Sequence, residues 1–387
     1  MKLAMYFFSL RSAGGAERSM IALASEMQRR GHRVQLLSWD DADARAFHTI
    51  PTAIPWSRLG RSGEGLQKIR RTARLLRLLR RERPDLFVGF VMGADKSVYF
   101  ASIAARVPIV AAERSSPEMY SARLSSVKAR FYFNLFALCR GVVVQFDSYR
   151  SGYPARIRNR IAAIPNAVST PARFAQPALE TPRAVLLAVG RFTDEKRFDV
   201  LIDAFHLLAG RHPGWDLRVV GDGVNRGALE TRVRELKLEG RATICFAVAD
   251  VEAEYAGAQL FVLPSRWEGF PNALAEAMVH GLPAVGFASC PGVNELIVPG
   301  ANGWLAPAAT DATLVTTLAE TLAIAMGNPE ARRTMGERAK ASMGAYAPQS
   351  VYDRWEAVLE AWARPWAAAS RRVVARPRQT DHEHEGH

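Results

Sequence analysis

The chain has 387 residues, 49% of them hydrophobic and 23% charged, with a formal net charge of +13. That length bounds the fold at roughly two or three domains, and the composition excludes a chain that is disordered throughout. The positive charge, mostly arginine, admits nucleic acid, an anionic membrane surface or phosphorylated small molecules as partners, and equally a plain arginine-rich surface.

The opening MKLAMYFFSL is a short apolar run followed by Arg11 and a Gly-rich turn. It reads as a buried strand over 3–9 rather than a signal peptide. A turn at Gly14–Gly15 leads into a helical pattern over 16–30, Gly31 ends it, and residues 32–37 form the next strand. This is a βαβ opening. Further strands are expected at 86–90, 108–112 and 141–145. Apolar runs between helical patterns predict a parallel sheet covered on both faces. No run reaches the roughly 18 apolar residues of a membrane helix.

Residues 165–182 carry four prolines and little periodicity, and read as a connector. A second half restarts with a strand at 184–189, a loop at 190–196 and a helix at 198–209. Strands follow near 217–220, 243–246, 260–263 and 284–287, then helices near 311–326, 330–343 and 350–366. The expected division is a first Rossmann-like domain at 1–168, a linker at 169–183, a second such domain at 184–345, and a disordered charged tail at 371–387. The 350–366 helix is expected to pack back on the first domain. The fold class is therefore α/β, with two doubly wound parallel sheets facing a cleft, where such sheets bind ligands. Cys139, Cys245 and Cys290 are few, separated and free of any CxxC spacing, which fits a reducing cytoplasm and argues against a disulfide framework or zinc site.

The richest segment is PSRWEGFPNALAE at 264–276. Glu268 and Glu276 stand eight apart around a Gly269-Phe270-Pro271 turn that opens a helix. A helix start offers unpaired N–H groups and a favourable dipole to a diphosphate. Asn272 is expected to cap the helix, leaving the N–H groups of Asn272, Ala273 and Leu274 toward the phosphates. Glu276, a turn inside, can accept hydrogen bonds from ribose hydroxyls, and Glu268 can reach the sugar. Both are also ordinary acids for a helix start. Arg191 and Lys196 lie in the first strand-to-helix loop of the second half, where two cations can neutralise a diphosphate; taken alone, they read rather as a solvated pair, with Lys196 beside Asp194 or Glu195. Gly14 and Gly15 permit close backbone approach to a ligand, or simply start a helix. There is no GxGxxG and no Walker A sequence, which disfavours nicotinamide or ATP use.

These segments, with IPNAV at 164–168, VGRFTDEKRFDVLIDAF at 189–205, VVGDG at 219–223, GVNELI at 292–297 and NGWL at 302–305, resemble the retaining glycosyltransferases of family 4. The resemblance covers nearly everything but the tail. It implies the GT-B architecture of two Rossmann-like domains and transfer of a hexose or N-acetylhexosamine from a nucleotide donor, expected to be UDP-linked, to a saccharide acceptor. The GFPNALAEAM and SCPGVNELI segments are similar to enzymes of bacterial envelope-glycan assembly, which implies a lipid-linked acceptor at the cytoplasmic face of the membrane. It gives Arg191 and Lys196 to the leaving diphosphate, Glu276 to ribose, Glu268 to the donor sugar, and Gly14–Gly15 to the diphosphate and acceptor. It implies same-face attack, with the departing phosphate taking the acceptor proton. No metal or cofactor is expected, because the cations and the helix start supply the electrostatics. His382, His384 and His387 read as a solvated tail.

Two departures stand out. Many relatives carry a histidine where VAAERSSP places Glu113 and Arg114, and the ICFAVADVEAEY loop is short where relatives border the base. Epimerases of UDP-N-acetylhexosamine, phosphorylases and a non-catalytic sugar-nucleotide binder share the architecture and stand as alternatives. Finally, Arg70, Arg74, Arg77 and Arg81 share one helix face within the basic stretch 61–83, which suits an anionic membrane surface or plain solvent. A second stretch, 123–140, mixes Lys128 and Arg130 with Phe131, Tyr132, Phe133 and Phe136, as a core helix or the edge of an acceptor groove. Nucleic acid is disfavoured for want of a binding motif.

Overall fold

The computed structural model describes residues 1–363 except Ala13, 61–65, Ala94, Glu180, Ala249 and Ala309. The expected tail, its histidines and the end of the 350–366 helix lie outside the described residues.

The first half runs β1 (Lys2–Tyr6), α1 (Gly15–Arg29), β2 (Arg33–Ser38), β3 (Trp56–Arg58), α2 (Leu66–Glu82), β4 (Leu86–Phe90), α3 (Lys96–Ala105), β5 (Ile109–Ala112), α4 (Pro117–Arg123), α5 (Ser126–Leu135), β6 (Gly141–Val144), α6 (Ala155–Arg158) and β7 (Ile161–Ala163). Its seven strands pair in the order β3-β2-β1-β4-β5-β6-β7, every pair parallel. Strand alternation divides the core. Ala4 and Tyr6 join Leu75 and Leu79 of α2 on one face. Leu3 and Met5 join Met20, Leu23 and Met27 of α1 on the other. This is the covered sheet that the apolar strand runs require.

The second half runs β8 (Ala184–Val189), α7 (Phe198–Ala209), β9 (Trp215–Val220), α8 (Arg226–Glu235), β10 (Ala242–Cys245), α9 (Val251–Gly257), β11 (Leu260–Leu263), α10 (Asn272–Val279), β12 (Ala284–Phe287), α11 (Val293–Leu296), β13 (Gly303–Ala306), α12 (Leu314–Gly327), α13 (Pro329–Ser342) and α14 (Pro348–Ala363). Its six strands lie in the order β10-β9-β8-β11-β12-β13, again parallel. Local chemistry sets several boundaries. Gly31, at φ +87°, turns the chain out of α1. Asp95, Asp250 and Asn328 cap α3, α9 and α13 through their side chains.

α14 belongs to the second half by sequence and to the first by contact. Val351, Trp355 and Leu359 are buried with α1 and β4. The Trp355 ring stacks on Phe90 with centroids 6.0 Å apart. Arg30, which caps the C-terminus of α1, binds Asp353 and Glu356 at 2.7 Å each.

Candidate functional site

The two halves meet where the strands of each sheet end. α10 begins without the expected cap. Asn272 is its first residue, and Pro271 occupies the cap position with no side-chain bond. Pro271, at φ −78° and ψ 79°, makes an inverse γ-turn in which Asn272 N–H donates to Phe270 C=O at 2.9 Å. The Asn272 N–H is therefore engaged, correcting the expectation that it faces a ligand. Those of Ala273 and Leu274 have no acceptor among the described residues. The Asn272 side chain instead accepts from Asn166 Nδ2 at 2.9 Å, across the cleft. Phe270 is also structural: it is buried, stacked on Phe146 at 5.6 Å and packed near Tyr346 at 5.7 Å.

The glycines let the halves approach. A β-carbon on Gly15 would stand 2.6 Å from Asn272 Nδ2, so the start of α1 abuts the start of α10. Gly14 is the cap residue of α1, and Glu17 folds back to within overlap of any β-carbon there, accepting from Ser12. A β-carbon on Gly269 would overlap the Arg114 carbonyl. Tyr149 OH donates to the carbonyls of Glu268 and Gly269 at 2.9 and 3.0 Å.

The expected charges fall into two groups. Lys196 Nζ lies 2.5 Å from Glu268 Oε1, which also accepts from Ser265 at 2.6 Å. This pair, 18% and 11% exposed, replaces the local partners weighed above. Asp194 accepts from Asn225 at 2.6 Å, and Glu195 pairs with Arg123 of α4. Arg191, earlier in the same loop, is exposed and has no side-chain partner among the described residues.

Glu276 forms the second group. It accepts from Arg18 Nη2 at 2.5 Å and from Tyr255 OH at 3.1 Å. Burial, and then the Glu276 carboxylate, push the Tyr255 phenol well above its ordinary range. A cavity of about 350 Å³ runs past Gly15, Arg18, Asn272 and Glu276 toward Tyr255 and Trp355. Arg191, Lys196 and Glu268 do not line it. A larger cavity, about 870 Å³, opens beyond Glu195 and Trp267 on the other side of the loop.

Glu113 and Arg114 line neither cavity. Glu113 is fully buried and accepts from Tyr120 and Tyr132 hydroxyls at 2.6 and 2.9 Å. Desolvation raises its pKa against those bonds. Arg114 lies near the rings of Phe90 and Trp355, and burial pulls its pKa down to about 10. It donates to Asn166 Oδ1 at 3.4 Å, behind the Asn166–Asn272 link. Arg18, Asn166 and Tyr255 were not singled out as site residues from sequence. Each lies in a segment that carried a signal: Arg18 in the first turn of the helix that follows Gly14–Gly15, Asn166 in IPNAV, and Tyr255 at the end of the ICFAVADVEAEY loop.

A model described as Glycosyltransferase Family 4 matches residues 13–171, and one described as Glycosyl transferases group 1 matches residues 169–342. With one model on each half, the chain belongs to the family 4 glycosyltransferases, and its architecture is GT-B. An uncharacterized glycosyltransferase of Haemophilus influenzae is 24% identical over 367 residues, covering 92% of this chain and 99% of that protein. Among solved structures, the lipopolysaccharide outer core galactosyltransferase WaaB superposes with a TM-score of 0.73 at 18% identity, covering 93% of this chain and 99% of that one. Anabaena HepE, solved in complex with UDP-glucose, gives 0.75 at 20% identity, with coverage of 93% and 99%. Both structural likenesses concern the fold.

Proposed function

We propose that the protein moves a hexose or N-acetylhexosamine from a UDP-sugar to a lipid-linked saccharide, with retention at the anomeric carbon, in envelope polysaccharide or glycan assembly. The observation that carries this reading is the meeting of two helix starts at Gly15 and Asn272, with the Glu276 carboxylate on one side and Lys196–Glu268 four residues upstream in the turn. Unpaired N–H groups and two helix dipoles favour a diphosphate there. HepE, which was solved with UDP-glucose bound, supports a UDP donor. WaaB, a galactosyltransferase of the lipopolysaccharide outer core, supports a lipid-bearing saccharide acceptor.

In this reading Glu276 accepts ribose hydroxyls, and Ala273 and Leu274 donate to phosphate. Arg191 and Lys196 neutralise the charge that grows as the bond from the anomeric carbon to the phosphate oxygen breaks. The acceptor oxygen bonds that carbon from the same face, and its proton passes to the departing phosphate. Glu268 serves the donor sugar and keeps Lys196 aimed. No metal or other cofactor enters. The active protein works at a membrane surface through the first half, as the inner cytoplasmic face would require.

Calorimetry with nucleoside diphosphates and their sugars tests the donor site. UDP is expected to bind, and Glu276→Ala to weaken it. Lys196→Ala is expected to lower kcat by about 100-fold or more with a smaller change in KM. Heat from none of the nucleotides, or full turnover by Lys196→Ala, would overturn the reading.

A further inference from the structure

Arg18 sits where the proposed ribose contact has to form. Its Nη2 lies 2.5 Å from Glu276 Oε1, while Tyr255 OH holds Oε2 at 3.1 Å. Both carboxylate oxygens are thus engaged, one by a full positive charge. A neutral ribose hydroxyl is a weaker donor than a guanidinium. A nucleoside entering this site must therefore give up one strong hydrogen bond to gain another that is weaker.

The position of Arg18 supplies the compensation. It lies three residues into α1, whose first residue, Gly15, abuts Asn272 at the start of α10. The guanidinium root is thus about one helical turn from the two helix starts where phosphate is favoured. Its side chain is 55% exposed, which leaves the guanidinium able to swing. Its neighbour Glu17 is buried and bonded to Ser12, so it does not compete for the charge. A guanidinium released from Glu276 can grip phosphate oxygens in a fork.

We propose that Arg18 is a further donor-binding residue that makes recognition of ribose depend on the diphosphate. Arg18 and a ribose hydroxyl compete for Glu276, and the phosphates accept the displaced guanidinium. The first half of the molecule thereby contributes a charge to the donor. The inference rests on the donor reading above and adds a residue that reading does not use.

The test is titration of matched pairs (uridine and UDP, guanosine and GDP, adenosine and ADP) against wild type, Arg18→Ala and Arg18→Lys, with the weak nucleosides read by competition. For the base that wild type binds, Arg18→Ala is expected to weaken the diphosphate about tenfold and to tighten the nucleoside, because the competitor is gone. Arg18→Lys, which keeps charge but loses the fork, should recover most of the diphosphate affinity. A change of the same sign for both members of the pair, or no change in either, overturns the proposal while leaving the donor reading intact. Wild type that binds no nucleoside diphosphate sinks both. Circular dichroism of the variants excludes a folding defect, which would weaken both ligands alike.

Discussion

Lys196 has two acidic neighbours in the chain and pairs with neither. Asp194 is taken by Asn225 and Glu195 by Arg123, leaving Lys196 to a glutamate 72 positions away. The spacing of Glu268 and Glu276 was legible in sequence, because chain distance fixes their places around one turn. Which cation meets each carboxylate was not, because that depends on tertiary packing: Lys196 reaches Glu268 within the second half, and Arg18 reaches Glu276 from the first. Asn272 failed as a cap for a related reason. Its preference for that role is local, whereas Pro271 takes the cap position through the γ-turn and the Asn272 side chain is held by Asn166 across the cleft. Gly269 gives a test at this scale. Alanine there drives a β-carbon into the Arg114 carbonyl, and backbone cannot yield as a side chain does. Gly269→Ala is expected to cost about 1–3 kcal/mol in denaturant unfolding. Gly227→Ala, in α8 with nothing near its β-carbon, should instead stabilise by about 0.5–1 kcal/mol. Equal effects at the two sites would refute the packing argument.

Among elements, the strands with apolar runs were readable and three edge strands were not. β3 and β7 have three residues each, too few for alternation to register, and β13 reads GWLA with its two middle residues only half-buried; all three close a sheet at its edge. α2 shows the same division within one helix. Arg70, Arg74, Arg77 and Arg81 are exposed, as a solvent or membrane face requires. Arg71 turns inward, with its guanidinium 4.1 Å from the Trp39 ring centre and 3.3 Å from Asp95. Beside α2, α3 exposes Phe100 and Ile103, and α5 exposes Val127 and Phe131, with Lys96 Nζ 4.9 Å from the centre of the Phe131 ring. Glu82 is the single acid in the sequences of these three helices. Cationic rows beside exposed aromatics suit an anionic lipid surface. Replacing the four arginines by glutamine should abolish the salt-sensitive part of sedimentation with phosphatidylglycerol vesicles. Phe100→Ser with Phe131→Ser should remove the part that survives high salt. Sedimentation unaffected by either set would sink the membrane reading. No helix among the described residues is long and apolar enough to cross a membrane.

At the scale of the whole molecule, the chain passes between the halves twice, once through the proline-rich connector and again into α14. Trp355 joins that return to the cleft, since it flanks Arg114, which reaches Asn166 and through it Asn272. Trp355→Ala removes a side chain only 3% exposed. It is expected to cost about 3–5 kcal/mol, with the loss confined to the first half when the two unfold separately. A midpoint shift in the second half alone would contradict this assignment.

The returning helix also means that the gene cannot be divided at the connector. A fragment ending near residue 168 would lack Val351, Trp355 and Leu359, leaving bare the apolar strip that α1 and β4 offer them. Such a half-protein should clump when made alone and become tractable when a peptide spanning 344–363 is supplied in trans, so that what looks like an appendage to the second half acts as a missing wall of its neighbour.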